Sequence, residues 1–261
     1  MLLNAVILTL REVIEASLIV SLFLAFCQLS GQPKKTILAA LFLGLLSAIL
    51  YAFNISAISQ WQNGIGQEIV NASICFLVYL FLLIFLATFI KSDPKSSKQL
   101  QSLAMVVGIT LATTQEGAEI ILYLLGFTFS PELFRPVLFG SLIGAGIGLS
   151  FGIFIYYLLI NVSKKSSLRI GFIMILLIAG SMIMQAIQLL TQIDWISSQY
   201  PLWDSSAFIN ERSLTGQLLY ALIGYEATPT PIQVISYVVS LMLILALSAY
   251  LYFRDQRQPN A

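Results

Sequence analysis

The stretch LLNAVILTLREVIEASLIVSLFLAFCQL, residues 2–29, decides the fold. It is long enough to cross a bilayer, which takes about 20 apolar residues, yet it holds Arg11, Glu12 and Glu15 near its middle. It does not read as a cleavable signal peptide, because no basic segment precedes it and those charges interrupt its apolar core. Six further apolar runs follow, at 37–59, 69–90, 103–127, 136–162, 170–192 and 232–253. Turn or charge signals separate them, including Gly31-Gln32-Pro33-Lys34-Lys35, Lys91-Ser92-Asp93-Pro94-Lys95, Ser130-Pro131-Glu132 and Lys164-Lys165-Ser166-Ser167. The reading is an all-α polytopic membrane protein of seven transmembrane helices, a single transmembrane domain over 1–261.

Composition agrees. Of 261 residues 58% are apolar and 10% charged, against about a quarter charged in soluble domains. With no His, imidazole is excluded as metal ligand or general base. Cys27 and Cys75, both inside apolar runs, make neither a zinc site nor a secreted disulfide framework. A net charge of +1 offers no basic field for nucleic acid.

The positive-inside bias orients the chain. Lys34, Lys35, Lys91, Lys95, Lys98, Lys164, Lys165, Arg169, Arg254 and Arg257 fall on one side, and only Arg135 and Arg212 on the other. This predicts N-out/C-in. The outer side collects Glu68, Glu132, Asp194, Asp204, Glu211 and Glu226, read chiefly as solvated loop surface, with Glu68 and Glu226 as candidate groups admitting ions. The long outer loop, about 193–231, holds Leu214, Leu218, Ala221, Leu222 and Tyr225 at near-helical spacing, which predicts a short amphipathic helix on the interface or lidding the bundle.

Arg11-Glu12-Val13-Ile14-Glu15 in span 1 is matched by Gln115-Glu116-Gly117-Ala118-Glu119 in span 4, 104 residues on. The same offset aligns Ala40, Gly44 and Ala48 with Gly144, Gly148 and Gly152, small residues that let helix backbones approach. We therefore expect inverted three-helix repeats, spans 1–3 (about 1–98) and 4–6 (about 99–192), plus a seventh span (about 232–253). Inverted repeats are common in secondary transporters, with the site at the midplane. At 1.5 Å per residue all four glutamates fall roughly 12–20 Å below the outer surface.

An intramembrane charge costs roughly 2.5–3.5 kcal/mol, so four glutamates in one layer point to function. An i, i+3 pair projects both carboxylates from one helix face. Two such pairs facing each other offer an oxygen cage suited to a hard cation. Like charges this close cannot all ionise unaided, so metal arrival would displace protons. Glu12, Glu15, Glu116 and Glu119 are the candidate metal ligands. Arg11 is either counter-ion or gate. Gln185 and Gln188 offer amide oxygens to an ion or hydrogen bonds between helices. Met182 and Met184 read as core filler, and Asn54 and Asn71 as packing or boundary residues.

The Arg-Glu-x-x-Glu of span 1 and Gln-Glu-Gly-x-Glu of span 4 resemble the paired Arg-Glu-Gly-x-Glu motifs of the high-affinity iron permease family, the oxidase-dependent iron transporters. The likeness continues through Ala179-Gly180, Gln185-Ala186, Leu202-Trp203-Asp204-Ser205-Ser206 and Leu222-Ile223-Gly224-Tyr225, across essentially the whole chain. The resemblance implies uptake of iron, ferric or ferrous, across the plasma membrane (the inner membrane in a Gram-negative cell), iron being transported substrate with no organic cofactor. It implies as partners a ferroxidase or an extracellular or periplasmic iron-delivery protein, with no enzymatic activity of the chain itself. Val13 replaces the Gly of the first motif and Gln115 the Arg of the second, which alters the charge balance of the layer. The alternatives are a transporter of another divalent cation and an intramembrane carboxylate-metal oxidase, the latter disfavoured because helical-bundle oxidases use Glu-x-x-His pairs.

Overall fold

The computed structural model describes residues 1–90, 96–211 and 213–257, with the side chains of 90, 96, 97, 252 and 255–257 outside that description. Among the charges that predict orientation, Lys91, Lys95 and Arg212, and the side chain of Arg257, lie outside it.

Nine α-helices form among the described residues: α1 (Leu2–Ser30), α2 (Lys35–Phe53), α3 (Ile55–Gln60), α4 (Gly66–Ile90), α5 (Ser96–Leu125), α6 (Pro131–Asn161), α7 (Lys164–Gln192), α8 (Leu214–Ile223) and α9 (Pro231–Arg257). Seven of them, all but α3 and α8, are long and apolar enough to cross a membrane. Their ends follow local chemistry. Gly31 takes the left-handed conformation after α1 (φ 66°) and its N–H bonds the Cys27 carbonyl. Pro131 opens α6, where its missing N–H costs nothing. The Ser163 and Ser213 hydroxyls cap α7 and α8 by accepting from the Ser166 and Gly216 amides. The predicted second span is interrupted at Asn54, whose side-chain amide donates to the Leu50 carbonyl at 2.7 Å; the chain resumes as the short α3.

Helix α1 is central, packed chiefly on α6 and also on α5, while α2 packs on α5. Small residues set both close pairings. A Cβ on Gly152 would lie 2.7 Å from the Ser17 Cβ, one on Gly44 would lie 2.7 Å from the Thr113 Cβ, and one on Gly144 would strike the Val6 carbonyl oxygen. Hydroxyls bridge the same seams: Ser21 Oγ donates to the Gly152 carbonyl at 2.7 Å, and Thr114 Oγ1 to the Thr110 carbonyl at 2.7 Å and, more weakly, to the Gly44 carbonyl at 3.4 Å. Phe23 and Phe26 meet Phe85, and Phe26 meets Phe89, edge to face between α1 and α4, while Phe85 and Phe89 stack within α4. Helix α9 covers α7 and α4, and α8 wedges between α7 and α1.

Candidate metal centre

Helices α1 and α5 cross at the level of their Glu-x-x-Glu pairs, and the two stripes turn inward because the helices' other faces are taken up by α6 and α2. Glu12, Glu15 and Glu116 are 5%, 4% and 4% exposed, and Glu119 is half-buried. One carboxylate oxygen from each of Glu12, Glu116 and Glu119 lies within 4.8 Å of the others. That is room for one cation to touch all three at typical metal–oxygen distances of about 2.0–2.6 Å.

Glu15 stands differently. Arg11 Nε donates to Glu15 Oε1 at 3.2 Å, and Gln185 Nε2 donates to Glu15 Oε2 at 2.9 Å, so both its oxygens are engaged. Arg11 Nε is 4.0 Å from Glu12, and its guanidinium lies over the Tyr220 ring, 4.0 Å from the centroid. Gln115 is buried at 6% exposure and meets Cys75 Sγ at 3.4 Å; the Cys75 thiol also donates to Gln185 Oε1 at 3.3 Å. Arg11, Gln115 and Gln185 thus surround the carboxylates through contacts with Glu15 and Cys75. Gln188, half-buried one turn further along α7, makes no hydrogen bond to the carboxylates among the described residues.

Two cavities adjoin the cluster. One of about 300 Å³ leads from Glu119 toward the face where α1 begins, past Asn71, Gln67, Glu68 and Gln192. Asn71 lines this opening, and its Oδ1 accepts from the Tyr51 hydroxyl at 2.8 Å, a bond that ties α4 to α2. The other, about 440 Å³ and mostly apolar, runs from Glu12 and Glu116 toward the opposite face past Ser17, Val20, Ser21 and Leu45.

The loop before α9 is pinned locally. Asp204 accepts from the Ser206 amide at 2.9 Å and from its hydroxyl at 2.5 Å, which holds Asp204 below its usual range. Glu211 accepts from the Ala227 amide at 2.6 Å, and the Tyr225 hydroxyl donates to the Ile209 carbonyl at 3.1 Å. Asp204 and Glu211 therefore have structural partners. Burial, and next the neighbouring Glu211 carboxylate, push Glu226 up to about 7. The helix expected around Leu214–Leu222 forms as α8, with Tyr225 just beyond its end. Two residues of this centre escape sequence reasoning, Tyr220 and Cys75. Each is one aromatic or apolar residue among many in its segment, and only packing sets it beside a motif residue.

The family model described as "Iron permease FTR1 family" matches residues 2–259. Comparison with curated proteins and with solved structures gave no match.

Proposed function

We propose, on the premise that this chain belongs to the iron permease FTR1 family, that it moves iron across the plasma membrane through the carboxylate cluster of α1 and α5. Family members are permeases, and with seven apolar helices the chain is a multi-pass membrane protein. The observation that carries the site is the convergence of Glu12, Glu116 and Glu119 within 4.8 Å, two of them nearly fully buried. An all-oxygen, negatively charged cluster favours a hard cation, and the lack of His or thiolate at the cluster favours ferric over softer ions.

Iron reaches Glu119 from the outer side through the cavity beside Glu68 and Asn71, is held by Glu12, Glu116 and Glu119, and leaves along Ser17 and Ser21 toward the cytoplasm. Glu15, held by Arg11 and Gln185, adjusts the charge of the layer. The lysine and arginine bias supports N-out/C-in. The inverted three-helix repeat is supported by the packing of α1 on α6 and of α5 on α2, a pair of contacts that exchange of the repeats would interconvert. A ferroxidase or iron-delivery partner would act on the outer side.

Iron uptake into proteoliposomes by Glu12→Gln, Glu15→Gln, Glu116→Gln and Glu119→Gln variants tests the reading. Loss of uptake in the three cluster variants is expected. Undiminished uptake in all four would overturn the site.

A further inference from the structure

Helix α8 brings a residue to the carboxylate layer that no motif includes. The two halves of the layer are flanked differently: α4 packs along α5 and sets Cys75 against Gln115, whereas α7 packs only lightly on α1. The wedge of α8 fills that second gap and lays the Tyr220 ring on Arg11. The Arg11 side chain keeps 34% of its surface open, so packing alone does not fix its direction. Its position depends on what it touches, namely the Tyr220 face at 4.0 Å, Glu15 at 3.2 Å and Glu12 at 4.0 Å.

We propose that Tyr220 is a positioning residue of the cation site: its ring holds the Arg11 guanidinium on Glu15 and thereby leaves Glu12 free to join Glu116 and Glu119. The inference rests on the reading of that cluster as the iron site. The ring face attracts the guanidinium through its quadrupole, most strongly where water is excluded. A guanidinium is a planar fork able to engage two carboxylates at once. Released from the ring, it bridges Glu12 and Glu15, and an arriving cation must then displace it. Tyr220 acts through Arg11.

The test is binding of ferric iron, supplied as its citrate complex, by the full chain in lipid nanodiscs. Tyr220→Leu is expected to weaken binding about five- to tenfold, the size of a partly desolvated cation–π contact. Tyr220→Phe, which keeps the ring face, stays within about twofold of the parent protein. In an Arg11→Gln background, Tyr220→Leu has no further effect, because the coupled partner is gone. Equal losses in the Leu and Phe variants, or a full Tyr220→Leu effect in the Arg11→Gln background, overturn the proposal. Tyr220→Met, which fills the space without a ring, repeats the comparison where the Leu variant does not assemble. Glu116→Gln is measured alongside. Unchanged binding there removes the iron site itself, whereas lost binding there with unchanged binding in Tyr220→Leu overturns only the role of Tyr220.

Discussion

Arg11 and Glu15, one turn apart on α1, are joined by a 3.2 Å hydrogen bond that leaves Glu12, between them in sequence, 4.0 Å from the same guanidinium nitrogen. The pair takes Glu15 out of the group that converges. Four carboxylates sit in one layer, and three of them face one another.

This division ranks the glutamates. Glu12→Gln, Glu116→Gln and Glu119→Gln each remove a charge from the converging group and are expected to lower iron uptake at least about tenfold, since hydrogen bonds and ligands that carry charge contribute roughly twice what neutral ones do. Glu15→Gln keeps an oxygen for Arg11 and is expected to lower uptake only about threefold. Initial rates in proteoliposomes measure both, and a loss at Glu15 as large as at Glu116 would contradict the ranking.

Gln115 occupies the place of the motif arginine. Four ionised glutamates with Arg11 alone sum to −3, and a second arginine would make the sum −2. Gln115→Arg is expected to shift the ferric-to-ferrous preference toward ferrous iron, because the lower negative charge suits a divalent ion. Competition between the two ions in an uptake assay reads this directly, and an unchanged ratio would sink the charge-balance idea.

The seam between α1 and α6 admits no added methyl at Gly144, where a Cβ would strike the Val6 carbonyl oxygen and lie 3.0 Å from the Leu10 amide nitrogen. Gly144→Ala is expected to cost about 1–3 kcal/mol by overpacking and to lower uptake, because α1 carries Glu12. Gly146 of the same helix has nothing within 4 Å of its ideal Cβ. Gly146→Ala is expected to leave thermal unfolding in detergent unchanged or slightly raised.

Glu226 supplies a pH signature outside the spans. Its carboxyl is pushed up to about 7 by burial and by Glu211, whereas an unfolded Glu titrates at about 4.3. Between these values the folded protein holds a proton that the unfolded chain has released, so stability falls as pH rises from about 4.3 through about 7, and this contribution is level outside that window. Glu226→Gln is expected to match the parent protein at low pH and to exceed its midpoint by roughly 2–4 °C at pH 8, per kcal/mol relieved. Parallel unfolding midpoints across the window would remove Glu226 from the account.

Much of this was written in one dimension. The apolar runs specify seven spans because a bilayer demands about 20 apolar residues with every backbone group bonded within the helix, and α1, α4, α5, α6, α7 and α9 follow those runs within a few residues at most ends. The break at Asn54 was not legible, since the run from Ile37 to Ser59 is apolar enough to continue and one side-chain bond to Leu50 marks its end. Glu12, Glu15, Glu116 and Glu119 stood out because a charge in an apolar run is costly and a repeated one more so.

What the sequence by itself determined is therefore the set of spanning helices and the place of the four carboxylates along them, quantities set by residue type and by rise per residue. Which carboxylates meet was decided by tertiary structure. Helix rotation and the close approach at Gly144 and Gly152 turn Glu12, Glu116 and Glu119 together. A separate loop helix delivers Tyr220 to Arg11 from more than two hundred residues away. Contacts between helices depend on side chains at both surfaces at once, and no single segment carries that information.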